Sequence, residues 1–379
     1  MPEVVATWMR GGTSKCWVFE RDSLDVDGRS LDEVLLRLFG SPDPRQIDGV
    51  GGGTSTTSKA VILSRSTDDA ADVDYTFAQV GIEQAVVDWG SNCGNCSAVV
   101  GPYAVRRGWV TVGDEVSTVR VRNTNTDQLI VQQVPTSGGS LDEIATDWIA
   151  GVPFPGTGIK MWFVDPAGRT TGRLFPTGQH ADPLQVGPDS YQATMVDAGA
   201  PVVIVPATAF GLTGHESPAD IDARPALLSK IEDVRRAAAV AMGMAATPAA
   251  AARAVPKLAL VAPPADGRAQ LVVRMLSMGR VHPALAITGS VGLTLAARTV
   301  GTVIHDLAGD LPTDRFDLST PAGVVSTWTG QHDGHLAVAV TRTARRLAEA
   351  TLVLPGDELP GPTLVTAGTQ LHDEEVTCR

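Results

Sequence analysis

A chain of 379 residues exceeds one typical domain, and 43% hydrophobic against 19% charged residues lets either half bury a core of its own. A net charge of -12 argues against nucleic acid and anionic membrane as partners, since both need a basic face. No apolar run approaches bilayer-spanning length, and Met1 to Val18 lacks the basic start and apolar middle of a signal peptide. A cytoplasmic location is expected. There the four cysteines, Cys16, Cys93, Cys96 and Cys378, are expected as thiols rather than a disulfide framework.

In chain order the first half reads as short strands at 4–9, 16–19, 75–80, 85–89, 109–112 and 128–134. A helix is expected over Leu31–Phe39, with Ser30 as its cap and Asp32 and Glu33 in its first turn. A second begins near Gly94 and runs to about Arg106, where Pro102 should remove a ladder bond and kink it. The Pro-, Gly- and Asp-rich stretch 177–190 divides the chain, giving expected domains 1–184 and 185–379, with a last strand at about 362–379 returning to the first. Beyond the divide come strands at 191–196, 202–205, 258–262 and 270–276. An amphipathic helix over 225–242 carries Leu227, Leu228, Ile231, Val234 and Ala238 at helical spacing. Another helix starts at Gly289, and strands follow at 323–328, 336–341 and 350–354. In both halves strands lead into a polar Gly/Ser/Thr loop that starts one central helix, a pattern that suggests internal duplication.

Only five of the 30 basic residues are lysine (15, 59, 160, 230, 257), and two of them lie in loops rich in small hydroxyl residues. Lysine, unlike arginine, can lose its proton at a tuned pKa. The loops are Met9 to Lys15, Gly51 to Lys59, Ser91 to Ser97, and Ser277-Met278-Gly279-Arg280-Val281-His282 followed by Thr288-Gly289-Ser290. Glycines let backbone amides approach a ligand, and free amides at a helix start hold carboxylate or phosphate. Phosphate loops are disfavoured, because the Walker pattern needs a glycine before its lysine and Ser14 and Ser58 stand there. Cys93 and Cys96 form a C-x-x-C, but no second pair completes a zinc site. His332-Asp333-Gly334-His335 has metal-like spacing, yet Asp-Gly between strands marks a hairpin turn. His282 is balanced between a structural and a functional role. Cys93, just before a helix start, is expected as a stabilised thiolate; the bland reading is a buried small apolar residue.

These segments, in this order, resemble the PrpF family, which includes 2-methylaconitate cis-trans isomerase, methylitaconate isomerase and 4-oxalomesaconate tautomerase. The resemblance rests on Met9 to Lys15, Thr54 to Lys59, Cys93-Gly94-Asn95, Pro155 to Gly158, Ser277-Met278-Gly279 with His282, Thr288-Gly289, and Arg342 to Leu347. It implies an α/β (α+β) fold like diaminopimelate epimerase, two similar domains each with a curled sheet around a central helix, and a site between them. It implies work without metal or organic cofactor, with Lys59 and Cys93 as the catalytic pair. A homodimer and an aconitase-type dehydratase as pathway partner are further expectations. Cys16 and Cys96 depart from the usual residues of the family. In the two-thiol epimerases a second cysteine precedes a Gly-Thr-Gly helix start, whereas Ala286-Ile287-Thr288-Gly289 has none. Epimerisation is therefore the weaker expectation.

The expected reaction is removal of an allylic proton from a small unsaturated di- or tricarboxylate by neutral Lys59, giving a delocalised carbanion. Return of the proton at another carbon moves the double bond, and rotation in the intermediate exchanges cis and trans. Amides at Gly94, Asn95 and Gly289, with the Ser14, Thr288 and Ser290 hydroxyls, are the expected charge holders, and Ser277, Met278, Gly279 and His282 are expected to shape the site. Arg10, Lys15 and Arg280 are candidate carboxylate partners, with Lys15 the candidate neighbour that neutralises Lys59. A 4-oxalomesaconate-type tautomerase or a methylitaconate isomerase is the nearest alternative. A non-catalytic anion-binding protein, or a redox or zinc protein built on Cys93 and Cys96, are the rivals from other classes.

Overall fold

The computed structural model describes residues 1–90, 92–264, 267–308 and 311–355. Eight strands close a ring in the first half: Glu3–Gly11, Ser14–Glu20, Lys59–Arg65, Val73–Val80, Val116–Asn123, Gln128–Ser137, Thr157–Val164 and His335–Val353, which returns to Glu3–Gly11. Two of these pairings are parallel, between Ser14–Glu20 and Lys59–Arg65 and between Val73–Val80 and Val116–Asn123. A parallel pair needs a crossover, and helices supply both: Leu31–Phe39 outside the ring, and a broken helix, Gly94–Ser97 then Val100–Arg106, inside it.

The second half repeats the plan. Strands Asp189–Ala198, Ala200–Pro206, Lys257–Ala262, Leu271–Ser277, Arg315–Thr320, Gly323–His332 and His335–Val353 follow in the same order, with parallel pairs again at the second and fourth steps. Pro225–Ala241 covers the outside and Ile287–Ala297 fills the inside. The strand Thr157–Val164 lies against His335–Val353, and a bridge from Ala167 to Ala198 joins the segment after it to the second set. The expected duplication is therefore present step by step.

Both sheets are covered on two faces, which accounts for apolar runs rather than alternation in Lys59–Arg65 and Lys257–Ala262. The expected cap at Ser30 is formed, and as a full capping box: its hydroxyl accepts from the Glu33 amide while the Glu33 carboxylate accepts from Ser30. Three expectations need correction. The break in the first central helix falls at Ala98 and Val99; Pro102 lies in the first turn of the next piece, where its missing N–H has no partner to lose. Residues 109–112 form no strand, and 177–190 is not merely a linker, since Asp182–Val186 pairs with Asp189–Ala198. The last expected strand, 362–379, lies outside the described residues. Among the described residues no helix is long and apolar enough to cross a membrane.

Candidate active site

The two central helices aim their starts at each other. Cys93 is the N-cap of Gly94–Ser97, its sulfur accepting from the Cys96 amide at 3.4 Å, and Ala286 holds the same place before Ile287–Ala297. A Cβ added at Gly94 would lie 3.0 Å from the Ile287 side chain, so only glycine lets the helix starts meet. The Asn95 side chain donates from Nδ2 to the Leu285 carbonyl at 3.2 Å, and the Thr288 hydroxyl to the Asn92 carbonyl at 3.5 Å.

Beside this contact is a cleft of about 40 Å³. Lys59 enters it from the head of its strand. Gln79 faces it in register on the next strand, and Lys59 Nζ donates to Gln79 Oε1 at 2.5 Å. The Gln79 amide nitrogen donates to the Ser58 carbonyl at 2.8 Å, which fixes its oxygen toward the lysine. Phe77, one turn of the pleat away, puts its ring 4.9 Å beneath the ammonium. The loop before Lys59 is anchored from below: Gln46 Nε2 donates to Ser58 Oγ at 2.8 Å, and that hydroxyl to the Val80 carbonyl at 2.9 Å.

Lys257 enters from the head of the equivalent strand in the second half, and it too lines the cleft. It is 5% exposed, and among the described residues Nζ reaches only the Ala254 carbonyl, at 3.5 Å. Burial pulls its pKa down to about 8, and the charge on Lys59 adds to the fall. The lysine that shares the cleft with Lys59 is thus Lys257 and not Lys15, which is exposed with its ammonium 5.5 Å over the Trp8 ring. Matching the halves head to head, KAVILSR against KLALVA, would have found Lys257 from the sequence.

His282 Nδ1 accepts from the Ala284 amide at 3.0 Å, so its proton is on Nε2. Burial, with the charges of Lys59, Lys257 and Arg342, lowers its pKa to about 3, which makes it a neutral donor at pH 7. Arg342, which does not line the cleft but lies near enough for its charge to act on His282, is buried; burial lowers its pKa to about 10, and its Nε and Nη2 have no hydrogen-bond partner among the described residues. Ser14 and Asn92 line the cleft with buried polar atoms lacking partners. No carboxylate among the described residues lines it.

Cys93 is where expected, but not in the expected state. Its thiol hydrogen bond to Cys96 and its desolvation raise its pKa well above the ordinary thiol value, outweighing the helix start and the Lys59 charge, so it is a thiol at neutral pH. Cys16 and Cys96 are buried free thiols, and no group of three His, Cys, Asp or Glu among the described residues is placed to hold a metal. Cys378 is outside the described residues.

Of the other expected residues, Gly94, Asn95, Ser277, Met278 and Thr288 line the cleft. Six do not. Arg10 is turned away, its Nη1 donating to the carbonyls of Gly12 and Thr343 and to the Thr343 hydroxyl. Ser277 and Arg280 pair across a two-residue turn, Met278 and Gly279, with φ of 56° and 78°. That turn tips Met278 into the cleft and Arg280 into solvent, while Gly279 only makes the bend. Gly289 gives room to Met275, and the Ser290 hydroxyl donates to the Ile287 carbonyl at 2.7 Å. His332 and His335 flank the expected hairpin, with His335 Nδ1 2.6 Å from Asp165.

A larger cavity of about 860 Å³ lies elsewhere in the first half and contains none of Lys59, Cys93, Lys257 or His282. Four arginines on its wall are matched by four carboxylates, Glu20, Asp22, Glu143 and Glu349, and three of them are ion-paired, Arg107 with Glu20 and Arg106 and Arg346 with Glu143 and Glu349. The small cleft, with its cations unopposed, is the candidate site.

The PrpF protein family model matches residues 1–355. The 2-methyl-aconitate isomerase of Shewanella oneidensis is 38% identical, over 93% of this chain and 97% of that protein. The 4-oxalomesaconate tautomerase of Pseudomonas putida is 37% identical, over 93% and 97%. A crystal structure of methylitaconate-delta-isomerase superposes with a TM-score of 0.78 at 36% identity, over 95% of this chain and 99% of that one. With the duplicated, diaminopimelate epimerase-like fold and whole-length matches to isomerases and a tautomerase, the chain belongs to the PrpF family.

Proposed function

We propose that this protein is a cofactor-independent isomerase that moves an allylic proton, or exchanges cis and trans, in a small unsaturated polycarboxylate such as 2-methylaconitate. The observation that carries the reading is the charge of the cleft: in a protein of net charge -12, buried cations and orphaned donors converge on a space that no carboxylate among the described residues lines. Lys59, held by Gln79, is the base. As the proton leaves, its bonding pair spreads into the conjugated carboxylate, and that charge needs donors already in place. The backbone amides at Gly94 and Asn95, the Ser14 hydroxyl and Nε2 of His282 supply them, and the Thr288 hydroxyl joins them by leaving its 3.5 Å bond to the Asn92 carbonyl. Arg342 adds a buried positive charge beside His282. Cys93, holding its proton, is a donor or a wall against the substrate rather than a second base. Methylitaconate and oxalomesaconate are the other candidate acids, since relatives named for all three are about equally similar. The homodimer, the cytoplasmic location and the aconitase-type dehydratase as pathway partner belong to the same proposal, on the family resemblance.

The test is proton NMR of chelator-treated protein in deuterium oxide with a panel of unsaturated di- and tricarboxylates. Isomer interconversion with deuterium entering allylic positions is expected. Lys59→Met should abolish both, a fall of about 100-fold or more. Retained exchange in that variant would remove Lys59 as the base.

A further inference from the structure

A cleft of about 40 Å³ is too small for a polycarboxylate, so its two halves must separate to take one in. Any element that grips both halves then bears on how the cleft opens, and the segment 147–156 does so. It leaves the first half after Ser140–Leu141 and rejoins it at Thr157–Val164. Backbone bonds pinch its neck, from the Asp147 amide to the Gly156 carbonyl at 3.1 Å and from the Gly156 amide to the Asp147 carbonyl at 2.9 Å. Its tip meets the second half. A Cβ added at Gly151 would lie 3.1 Å from the Ala322 methyl and 3.4 Å from the Ala284 methyl, and 3.0 Å from Thr13 of the first half. A Cβ added at Gly323 would lie 3.2 Å from the Ala150 methyl.

We propose that 147–156 is a latch, anchored in the first half and closed on the second through Ala150 and Gly151, and that substrate enters only after this contact lets go. The proposal rests on the isomerase reading above, which makes the cleft the site.

Three observations support it. First, the anchoring is one-sided. Gly156 lies so near Arg10 that a Cβ there would be 2.5 Å from Nη2, and Arg10 is itself tied to Gly12 and Thr343 of the first barrel. When the halves part, the segment stays with the first and leaves Ala284 and Ala322. Second, the tip sits on residues next to the site: Thr13 precedes Ser14, which lines the cleft, and the Ala284 amide donates to His282 Nδ1 at 3.0 Å. Third, the grip is light. Its large apolar side chains Trp148 and Phe154 are exposed, and the contact across the seam is between glycines and methyl groups. Close fit with little buried apolar surface gives a contact that is specific in place and cheap to release. Gly151, at φ 85°, holds a conformation and a position that a side chain would spoil.

The experiment is to lock the latch and to loosen it, with the NMR assay as readout. Gly151→Cys with Ala322→Cys sets two thiols across the seam, and a shift of under about 1 Å from the 3.1 Å of ideal geometry brings their Cβ atoms to disulfide spacing. Once the bond is confirmed by mass, turnover is expected to fall about 30-fold or more and to return with dithiothreitol. Each single-cysteine variant, oxidised alike, is the reference, so that oxidation of Cys93 cancels. A locked protein as active as its reduced form overturns the latch. Should cysteine at position 151 prevent folding, Ala322→Leu keeps both glycines and adds bulk under the tip. It is expected to raise KM about tenfold by depopulating the closed state, with the melting temperature within a few degrees of wild type. An unchanged KM in that variant overturns the latch as well. Wild-type protein that interconverts no acid of the panel fails at the earlier step, the isomerase reading, and takes this inference with it.

Discussion

His282 can accept from Ala284 at Nδ1 while donating from Nε2 only in its neutral form, and the same burial couples it to stability. Unfolded, the ring titrates near 6.5; folded, at about 3. Between those values the unfolded chain binds a proton that the folded chain refuses, so this contribution is complete above pH 6.5 and is lost as pH falls toward 3. At pH 4.5 the loss is about 2 kcal/mol, from roughly 1.4 kcal/mol per unit with allowance for the ring edge that reaches the cleft. Urea unfolding at pH 7.5 and 4.5 should show a smaller acid loss in His282→Asn than in wild type by about that amount. Equal losses would mean that the folded site accepts the imidazolium.

Elements aim these residues, and the turn at Met278 is the clearest case. A non-glycine residue at φ 56° is held there against an intrinsic cost of about 1 kcal/mol, at a place where the side chain faces the cleft. Met278→Gly removes both strain and side chain, so its melting temperature should stay within a few degrees of wild type while kcat/KM falls about tenfold or more. A variant as active as wild type would reduce Met278 to packing. The sequence made several such elements legible. Leu31–Phe39 had both its cap and its periodicity, and Cys93 and Gly94 were found because a helix start leaves a pattern in small polar residues. The strand Lys59–Arg65 was missed because a strand buried on two faces has no alternation, and Lys257 because its strand has no polar loop before it to draw attention. Gln79 and Phe77 could not be read at all, since their relation to Lys59 is a cross-strand register that only the folded sheet defines. Arg10, Lys15 and Arg280 were selected for charge near the right loops, but strand alternation and a tight turn point them elsewhere.

For the whole molecule, the size of the cleft is decisive. About 40 Å³ holds one or two waters, not a tricarboxylate, so the halves must part to admit one. Amide hydrogen exchange around Gly94–Ser97 and at Thr288 should slow by about tenfold or more when the isomerised acid is added, because closure on it removes the open state. Unchanged exchange would mean that ligand enters without separation of the helix starts. The strand His335–Val353 constrains how that parting can occur. It pairs with Gly323–His332 over its first residues, with Thr157–Val164 over its first half, and with Glu3–Gly11 beyond Ala344. One continuous backbone is thus a stave of the first barrel and a member of the second sheet, so the halves cannot swing apart like doors on a flexible strap. They can only twist about a shared torsion bar. Two halves laced this way cannot be separated by cutting: a chain ending at residue 184 would lack the stave that closes its own barrel.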